Sequence, residues 1–215
     1  MVHQFLECCC QCAADARQAE LSGASRIELC EDLAADGLTP SEENIRDTLA
    51  AVDIPVNVLI RCRTGNFVYT TEEVEAMVQS VSLCRDLCVS LPDGRERRVN
   101  AIVIGALTPE GDVDEPAIRS LLDAWDASRP VTFHRAFDIC RNPLDASRRI
   151  AALGIQRILT SGHAADAMSG RPLLAELVQQ GSPLILVGGG VRPHNIDTLA
   201  TDTHATEFHS ACRQW

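Results

Sequence analysis

The chain has 215 residues, and all 19 of its lysine-plus-arginine positions are arginine, against 30 acidic residues and a formal net charge of −11. The absence of lysine excludes Schiff-base aldolases, pyridoxal-phosphate enzymes and the Walker-type phosphate loop, because each depends on a lysine amine. The acidic balance provides no basic surface for nucleic acid or for an anionic membrane.

The composition predicts a single domain over residues 1–215 with a large aliphatic core, since 46% of the residues are hydrophobic and only 4% are aromatic. We expect no membrane span, because no run of eighteen apolar residues occurs. The first residues lack the basic and apolar regions of a signal peptide, so we expect a cytoplasmic protein. In that compartment most of the ten cysteines are expected to be reduced, buried thiols.

Short apolar runs rich in β-branched residues alternate along the chain with longer stretches of helical periodicity. The segments Thr39-Pro40-Ser41-Glu42, Thr70-Thr71-Glu72-Glu73 and Asn142-Pro143 place caps, prolines and acids at helix starts. Eight strands alternating with helices predict an α/β, TIM-like (β/α)8 barrel. The predicted strands cover residues 4–9, 26–30, 56–62, 101–104, 131–134, 157–160, 184–187 and 206–209, and the predicted helices lie near residues 11–22, 41–51, 71–88, 114–127, 143–153, 165–180 and 193–200.

A doubly wound open sheet also alternates strands and helices, but no GxGxxG motif follows the first strand here. Two features depart from a regular barrel. Only residues 210–215 follow the last predicted strand, so the final outer helix is expected to be short or missing. Residues 89–99, with Pro92-Asp93-Gly94, are expected to form a polar loop.

Polar residues at the predicted strand ends share one parity, and the active site of a barrel lies at that end of its strands. Glu7-Cys8-Cys9 and Glu28-Leu29-Cys30 both read Glu-x-Cys, so the glutamate and the cysteine of each strand share a face. Leu29 suits packing against the helices, which places Glu28 and Cys30 inside the barrel. The same register places Glu7 and Cys9 inside.

The other strand ends extend this set with arginine, histidine and further carboxylates. Arg61 and Arg63 could clamp a carboxylate or phosphate, His134 or His209 could act as a general base, and a glutamate could act as its partner or as the acid. The alternative is a ring of satisfied ion pairs, such as Glu7 or Glu28 with Arg61. The candidate catalytic residues are Glu7, Glu28, Arg61, Arg63, His134, Asp138, Glu207 and His209.

A triple glycine follows the seventh predicted strand, at a position where barrels often bind phosphate. Glycines there let backbone N–H groups approach an anion, although a plain tight turn would need the same residues. The candidate anion-binding residues are Thr160, Ser161, Gly188, Gly189, Gly190 and Ser210.

Cys9 and Cys30 end adjacent strands, which lie about 4.8 Å apart in a sheet, so one ion could contact both sulfurs. Two soft thiolates suit Cu(I). The alternative is that both are buried thiols in one layer of the core. The residues therefore leave two hypotheses open, a Cu(I)-binding protein and an enzyme that acts on a small anionic or phosphorylated substrate without a Schiff base.

Several segments resemble the CutC family of copper homeostasis proteins, and the resemblance spans nearly the whole chain. It rests on Phe5-Leu6-Glu7-Cys8-Cys9, Arg26-Ile27-Glu28-Leu29-Cys30, Val131-Thr132-Phe133-His134-Arg135-Ala136-Phe137-Asp138 and Ile158-Leu159-Thr160-Ser161-Gly162. The triple glycine and Glu207-Phe208-His209-Ser210 fit the same order.

The resemblance implies a cytosolic TIM-like barrel that is usually oligomeric and is linked to copper handling. In some members two strand-end cysteines are proposed to bind Cu(I), and these correspond here to Cys9 and Cys30. The chain departs from the family where Arg61-Cys62-Arg63 replaces Arg-Pro-Arg, and where it stops before many members do.

Overall fold

Residues 5–211 are described by the computed structural model, and they contain eight parallel strands that close into a barrel. Strands follow one another around the barrel in chain order, and β1 pairs with both β2 and β10 to close it. The ten strands are β1 (Phe5–Cys10), β2 (Arg26–Leu29), β3 (Val56–Leu59), β4 (Cys88–Ser90), β5 (Glu96–Arg98), β6 (Ala101–Ile104), β7 (Val131–Phe133), β8 (Arg157–Thr160), β9 (Leu184–Val187) and β10 (Glu207–Ala211).

Helices connect the barrel strands, and the prediction of a TIM-like (β/α)8 fold is confirmed. Gln4, where the first strand was predicted to begin, and the residues after Ala211, where the final helix was predicted to be short or missing, lie outside the described range. The helices are α1 (Ala13–Leu21), α2 (Glu42–Ala51), α3 (Thr71–Asp86), α4 (Glu115–Ala124), α5 (Pro143–Ala152), α6 (Arg171–Gln179) and α7 (Ile196–Thr203), with short 3-10 helices at Leu33–Ala35 and Arg135–Ile139.

Three of the helices begin at the predicted start signals. The Ser41 side chain accepts a hydrogen bond from the Asn44 amide at the start of α2. At α3, Thr70 and Glu73 form a reciprocal capping box, which satisfies amides that have no partner within the helix. Asn142 caps α5 ahead of Pro143. These caps fix where the strand-to-helix loops end and the helices begin.

Side chains along each strand point alternately into the barrel and toward the surrounding helices. Ile27 and Leu29 of β2 are completely buried on the helix side, together with Val58 of β3. Their neighbours Glu28 and Asn57 point to the barrel side and are also buried. Apolar packing between strands and helices thus stabilises the fold, while the barrel interior carries polar residues.

Two predictions about local structure were wrong. The third barrel strand ends at Leu59 rather than at residue 62, so Arg61 and Cys62 lie in the following loop. The predicted polar loop over residues 89–99 contains an antiparallel hairpin of β4 and β5, in which Val89 pairs with Arg97. Within residues 5–211, no helix is both long enough and apolar enough to cross a bilayer.

Candidate functional site

A cavity of about 600 Å³ lies at the carboxyl ends of the barrel strands. Both apolar and charged side chains line it, and several of the residues expected from the sequence contribute to its wall. The predicted site residues that line it are Cys9, Glu28, Arg61, His134, Asp138, Gly189, Gly190, His209 and Ser210. The predicted residues that do not line it are Glu7, Cys30, Arg63, Thr160, Ser161, Gly188 and Glu207.

Beneath the cavity, buried charged residues form a continuous ion-pair network across the barrel. Arg26 Nε donates to Glu7 Oε2 over 2.5 Å, and Arg26 Nη2 donates to Glu207 Oε2 over 3.0 Å. Arg157 Nε donates to Glu207 Oε2 over 2.9 Å, while Asn57 Nδ2 donates to Glu7 Oε2 over 3.1 Å. Each charge of this network therefore has an opposite charge at hydrogen-bond distance, which offsets the cost of burial.

Glu7 also contacts His209, because the strand register places the two residues opposite each other on β1 and β10. Glu7 Oε1 lies 2.8 Å from His209 Nδ1. Burial alone would raise the pKa of Glu7, but the hydrogen bond from His209 and the charge of Arg26 outweigh it and lower the pKa to about 2. Glu7 is therefore a carboxylate at neutral pH, and it holds a proton on Nδ1 of His209.

The second ring nitrogen of His209 faces Glu28, with Nε2 lying 4.0 Å from Glu28 Oε1. Burial by itself would lower the pKa of His209, but the carboxylates of Glu28 and Glu7 raise it. Desolvation raises the pKa of Glu28 to about 7. Glu28 Oε2 is buried and has no hydrogen-bond partner among the described residues, so this carboxyl is only partly satisfied.

The two strand-end thiols are brought together as predicted. Cys9 Sγ lies 3.5 Å from Cys30 Sγ and 3.7 Å from Glu28 Oε1. The hydrogen bond with Cys30, burial and the nearby charge of Glu28 raise the pKa of Cys9 well above its ordinary value. Cys9, Glu28 and His209 each offer a ligand atom within 4.8 Å of the others, which makes this corner a candidate metal centre.

Of the other free cysteines, buried Cys10 adjoins this corner, because its carbonyl accepts a hydrogen bond from Cys30 Sγ. Those described as free outside the Cys9–Cys30 pair include exposed Cys62 and buried Cys84, and Cys8 is disulfide-bonded. The expectation of mostly reduced thiols therefore holds for the part of the chain that the structure describes, with Cys8 as the exception.

Arg61 and Arg63, predicted as a pair, separate because β3 ends before them. Arg61 is buried at the cavity. Its Nη1 donates hydrogen bonds to backbone carbonyls after β2, including those of Ala35 and Gly37. The pairing of Arg61 with Glu7 or Glu28, considered above as the alternative to a catalytic site, does not occur within residues 5–211, where Glu7 pairs with Arg26 instead. Arg63 instead pairs with Glu73 of α3, outside the cavity.

His134 directly follows β7, caps the 3-10 helix Arg135–Ile139 and is buried against the cavity. Its Nδ1 accepts a hydrogen bond from the Ala136 amide over 3.1 Å, so the neutral ring carries its proton on Nε2. Burial and the nearby charge of Arg61 lower the pKa of His134 to about 3. The ring fits because residue 105 is glycine, since a Cβ at Gly105 would lie 2.5 Å from the ring.

Asp138 connects the 3-10 helix after β7 to the loop after β8. It accepts hydrogen bonds from the hydroxyls of Thr160 and Ser161 and from the amides of Ser161 and His163. Arg135 pairs with it over 2.8 Å. Thr160 and Ser161, proposed from the sequence as anion ligands, thus direct their hydroxyls to Asp138, and the three residues brace two loops.

The triple glycine forms a tight turn after β9. A Cβ at Gly188 would lie 2.5 Å from Leu159, while Gly189 and Gly190 adopt φ values of +92° and +77° that favour glycine. Ser210, across the turn, donates to the Val191 carbonyl. Gly189 and Gly190 reach the cavity, whereas Gly188 serves close packing.

Four residues of the site were missed by the sequence interpretation: Arg26, Asn57, Arg157 and Arg192. Arg26 shares its parity with Glu28, so the same alternation, followed one step back along β2, could have found it. Asn57 lies level with Glu28 in the neighbouring β3, and Arg157 on β8 reaches the network through Glu207. Arg192 follows the triple glycine directly, and the sequence carries no signal for its inward orientation.

The eight-stranded barrel and its mouth of thiols, imidazole and an unsatisfied carboxyl define a TIM-like barrel protein with a candidate metal and anion site. Residues 4–214 match the model of the CutC family, and the chain belongs to that family. It is 41% identical over 215 residues to the CutC family protein of Parabacteroides distasonis, covering 98% of this chain and 83% of that protein.

Two further relatives support this assignment. The CutC family protein of Porphyromonas gingivalis is 42% identical over 210 residues, covering 97% of this chain and 80% of the relative. The crystal structure of CutC from Streptococcus agalactiae, a candidate copper homeostasis protein, superposes with a TM-score of 0.86 at 30% identity, covering 96% of this chain and 97% of that one.

Proposed function

We propose that this CutC family member binds Cu(I) as part of copper homeostasis, with Cys9 and Cys30 as its principal ligands. The observation that carries the proposal is the 3.5 Å separation of the two sulfurs. One ion can contact both, because two metal–sulfur bonds of about 2.3 Å span at most about 4.6 Å. The S. agalactiae relative, a candidate copper homeostasis protein, supports the same cargo.

The donor chemistry favours a soft ion. Thiolates select Cu(I), and imidazole also suits copper, whereas carboxylates suit harder ions. His209 is prepared for this role, because Glu7 holds the proton on Nδ1 and leaves the Nε2 lone pair available when the ring is neutral. The unpartnered Glu28 Oε2 fits a site that gains a partner when it is filled.

Acid should weaken binding at these thiols. Metal binding requires deprotonated sulfur, and the pKa of Cys9 is raised by Cys30 and by burial. Binding must therefore displace at least one thiol proton at neutral pH. The apparent Cu(I) affinity is expected to fall as the pH is lowered.

A Cu(I) titration against a competing chelator tests the proposal under anaerobic, reducing conditions. We expect one tightly bound Cu(I) in the wild type and an affinity at least about 100-fold lower in the Cys9→Ser/Cys30→Ser variant. The matched control is Cys62→Ser/Cys88→Ser, because neither of those free thiols lines the cavity. Equal affinity in the two double variants would exclude the Cys9–Cys30 site.

A second candidate function is an enzyme that acts on a small anionic substrate by acid–base chemistry. The specific observation is Glu28, whose pKa of about 7 suits proton transfer at neutral pH, beside His209 in a cavity of about 600 Å³. Turnover of a screened anionic metabolite that Glu28→Gln abolishes, and that persists in the copper-free protein, would favour this function.

A cytoplasmic location and assembly into a homo-oligomer, both implied by the family resemblance, are part of the proposal. A single polypeptide domain over residues 1–215 is proposed with them. Sedimentation equilibrium would give the oligomeric state, and a monomer at micromolar concentration would contradict that part.

A further inference from the structure

Most arginines of residues 5–211 pair with a carboxylate, and two of the three exceptions lie at one cavity. Within residues 5–211, every arginine except Arg17, Arg61 and Arg192 has a nitrogen within 4.0 Å of a carboxylate oxygen. Arg17 is exposed on α1 and bonds the Ala51 carbonyl. Arg61 and Arg192 both line the cavity. Two guanidinium charges without a carboxylate partner therefore lie at the same site.

Arg61 is the more unusual of the two, because only 5% of its surface is exposed. Its Nη1 and Nη2 donate to backbone carbonyls, including those of Gly37 and Gly65, while Nε has no partner. Phe67 packs 5.0 Å from the guanidinium carbon. A buried charge without a counter-charge is costly, so the rigid placement of Arg61 calls for an anion that the protein itself does not supply.

His134 lies beside Arg61 and adds a neutral donor. Its ring centre is 4.9 Å from that of Phe67, the same aromatic side chain that contacts Arg61. Because Nδ1 accepts from the Ala136 amide, Nε2 carries the proton, and it has no hydrogen-bond partner among the described residues. A buried N–H without an acceptor is rare, and an oxygen atom of a ligand would satisfy it.

The glycine turn supplies further donors on the cavity wall. Gly189 and Gly190 line the cavity, and their amides donate to no acceptor within residues 5–211. Arg192 follows them, and two hydrogen bonds orient its side chain: Nη1 donates to the Val191 carbonyl over 2.7 Å and to Ser210 Oγ over 3.2 Å. This segment therefore presents two free backbone N–H groups and a guanidinium that has no carboxylate partner within residues 5–211.

The rest of the cavity is apolar enough to hold an organic group. Leu33, Leu59, Phe67, Ile139 and Leu159 contribute to its wall. Its volume of about 600 Å³ falls within the range of small-molecule sites, roughly 300–1,000 Å³. Free inorganic phosphate would leave most of this space unfilled.

We propose that Arg61, His134, Gly189, Gly190 and Arg192 form a binding site for a small organic anion whose head group is a phosphate or a carboxylate. The head group meets the arginines and the unpaired N–H groups, and the organic body packs on the leucines and Phe67. This cationic wall uses none of the thiols, so the site does not depend on copper binding.

Calorimetric titration of the full chain with inorganic phosphate, phenyl phosphate and benzoate tests the proposal. We expect phenyl phosphate or benzoate to bind saturably and more tightly than inorganic phosphate, because each adds an apolar body. Comparison of phenyl phosphate with benzoate distinguishes a phosphate site from a carboxylate site. Arg61→Gln and Arg192→Gln should each weaken binding of the better probe at least about tenfold.

The control is Arg17→Gln, which removes the third arginine of residues 5–211 that lacks a carboxylate partner; it lies outside the cavity, and the variant should bind like the wild type. All titrations use the copper-free protein, so probe binding there separates this site from the copper proposal. The Arg61→Gln variant loses the hydrogen bonds of Arg61 to two loops, so circular dichroism must show that this variant is folded. If it is unfolded, Arg192→Gln alone provides the test. The proposal is overturned if no probe binds saturably to the wild type, or if both folded arginine variants bind the better probe as the wild type does.

Discussion

Glu7 and His209 face each other across the closure of the barrel, with Glu7 Oε1 2.8 Å from His209 Nδ1. The contact follows from the register of β1 and β10, which places the two residues level. Because the pKa of Glu7 is lowered to about 2 by His209 and Arg26 against the effect of burial, the carboxylate stays ionised and fixes the ring. Carboxylate–histidine pairs of this kind orient a ring nitrogen toward a metal.

Glu7→Gln is therefore expected to weaken Cu(I) binding although Glu7 does not line the cavity. The neutral amide is a weaker acceptor for Nδ1–H of His209 and can also turn its NH2 group toward the ring, and loss of such a carboxylate partner lowers metal affinity by about 10–100-fold. The measurement is the competitive Cu(I) titration, with circular dichroism to verify folding. Glu73→Gln, which removes a carboxylate paired with Arg63 outside the site, is the control. Unchanged affinity in folded Glu7→Gln would exclude His209 as an oriented ligand.

Arg26→Met is expected to destabilise the fold severely. The substitution leaves two carboxylates, Glu7 and Glu207, without their shared partner, and removing one member of a buried ion pair costs about 3–5 kcal/mol. Chemical denaturation gives the free energy of unfolding. Arg46→Met is the control, because its pair with Glu42 is exposed on α2 and contributes under about 0.5 kcal/mol. Similar losses in the two variants would contradict the network's structural role.

His134 predicts a specific dependence of stability on pH. Burial and Arg61 lower its pKa in the folded state from 6.5 to about 3, so the unfolded chain binds the extra proton between these values. The contribution of neutral His134 is therefore fully present above pH 6.5 and is lost as the pH falls toward 3. One proton corresponds to a slope of up to about 1.4 kcal/mol per pH unit.

Denaturation curves of wild type and His134→Gln, recorded between pH 3 and pH 6.5, measure how steeply the free energy of unfolding changes with pH. Glutamine retains an acceptor for the Ala136 amide but does not titrate, so its stability should fall less steeply on acidification than that of the wild type. His194→Gln, at an exposed histidine outside the cavity, should follow the wild-type slope. Parallel curves for wild type and His134→Gln would show that His134 does not resist protonation in the folded state.

The parity of strand residues was sufficient to predict the barrel and the inward position of several groups. Glu28 and Cys9 line the cavity as expected, because alternation along a strand is independent of its partners. The partner of Glu7 was not predictable in the same way. It depends on the register of β1 against β2, which places Arg26 opposite Glu7, and register depends on the whole closed sheet.

The loops limited the prediction more than the strands did. Arg61 and Arg63 were expected to share a face, but β3 ends at Leu59 and alternation no longer applies beyond it. The Arg61 side chain donates hydrogen bonds to backbone carbonyls of the loop after β2, whereas Arg63 forms a salt bridge with Glu73. Such contacts depend on the relative position of two loops, and no local pattern in the sequence encodes it.

Asp138 illustrates how a residue at the cavity can be structural. Both of its oxygens accept hydrogen bonds from the Ser161 amide, at 3.0 and 3.1 Å, and the His163 amide donates to one of them at 3.3 Å. Asp138→Asn places an amide nitrogen against these donors. Loss of a hydrogen bond to a charged group costs about 1.5–3 kcal/mol, so we expect a destabilisation of that size.

Chemical denaturation of Asp138→Asn measures this loss, with Asp123→Asn as the control for the same substitution at an exposed position on α4. The control should change stability by less than about 0.5 kcal/mol. If Asp138 acted as a catalytic base instead, its substitution would remove activity and leave stability intact, because an uncommitted carboxylate contributes little to folding. A destabilised Asp138→Asn together with an unaffected Asp123→Asn assigns Asp138 to bracing the loops that follow β7 and β8.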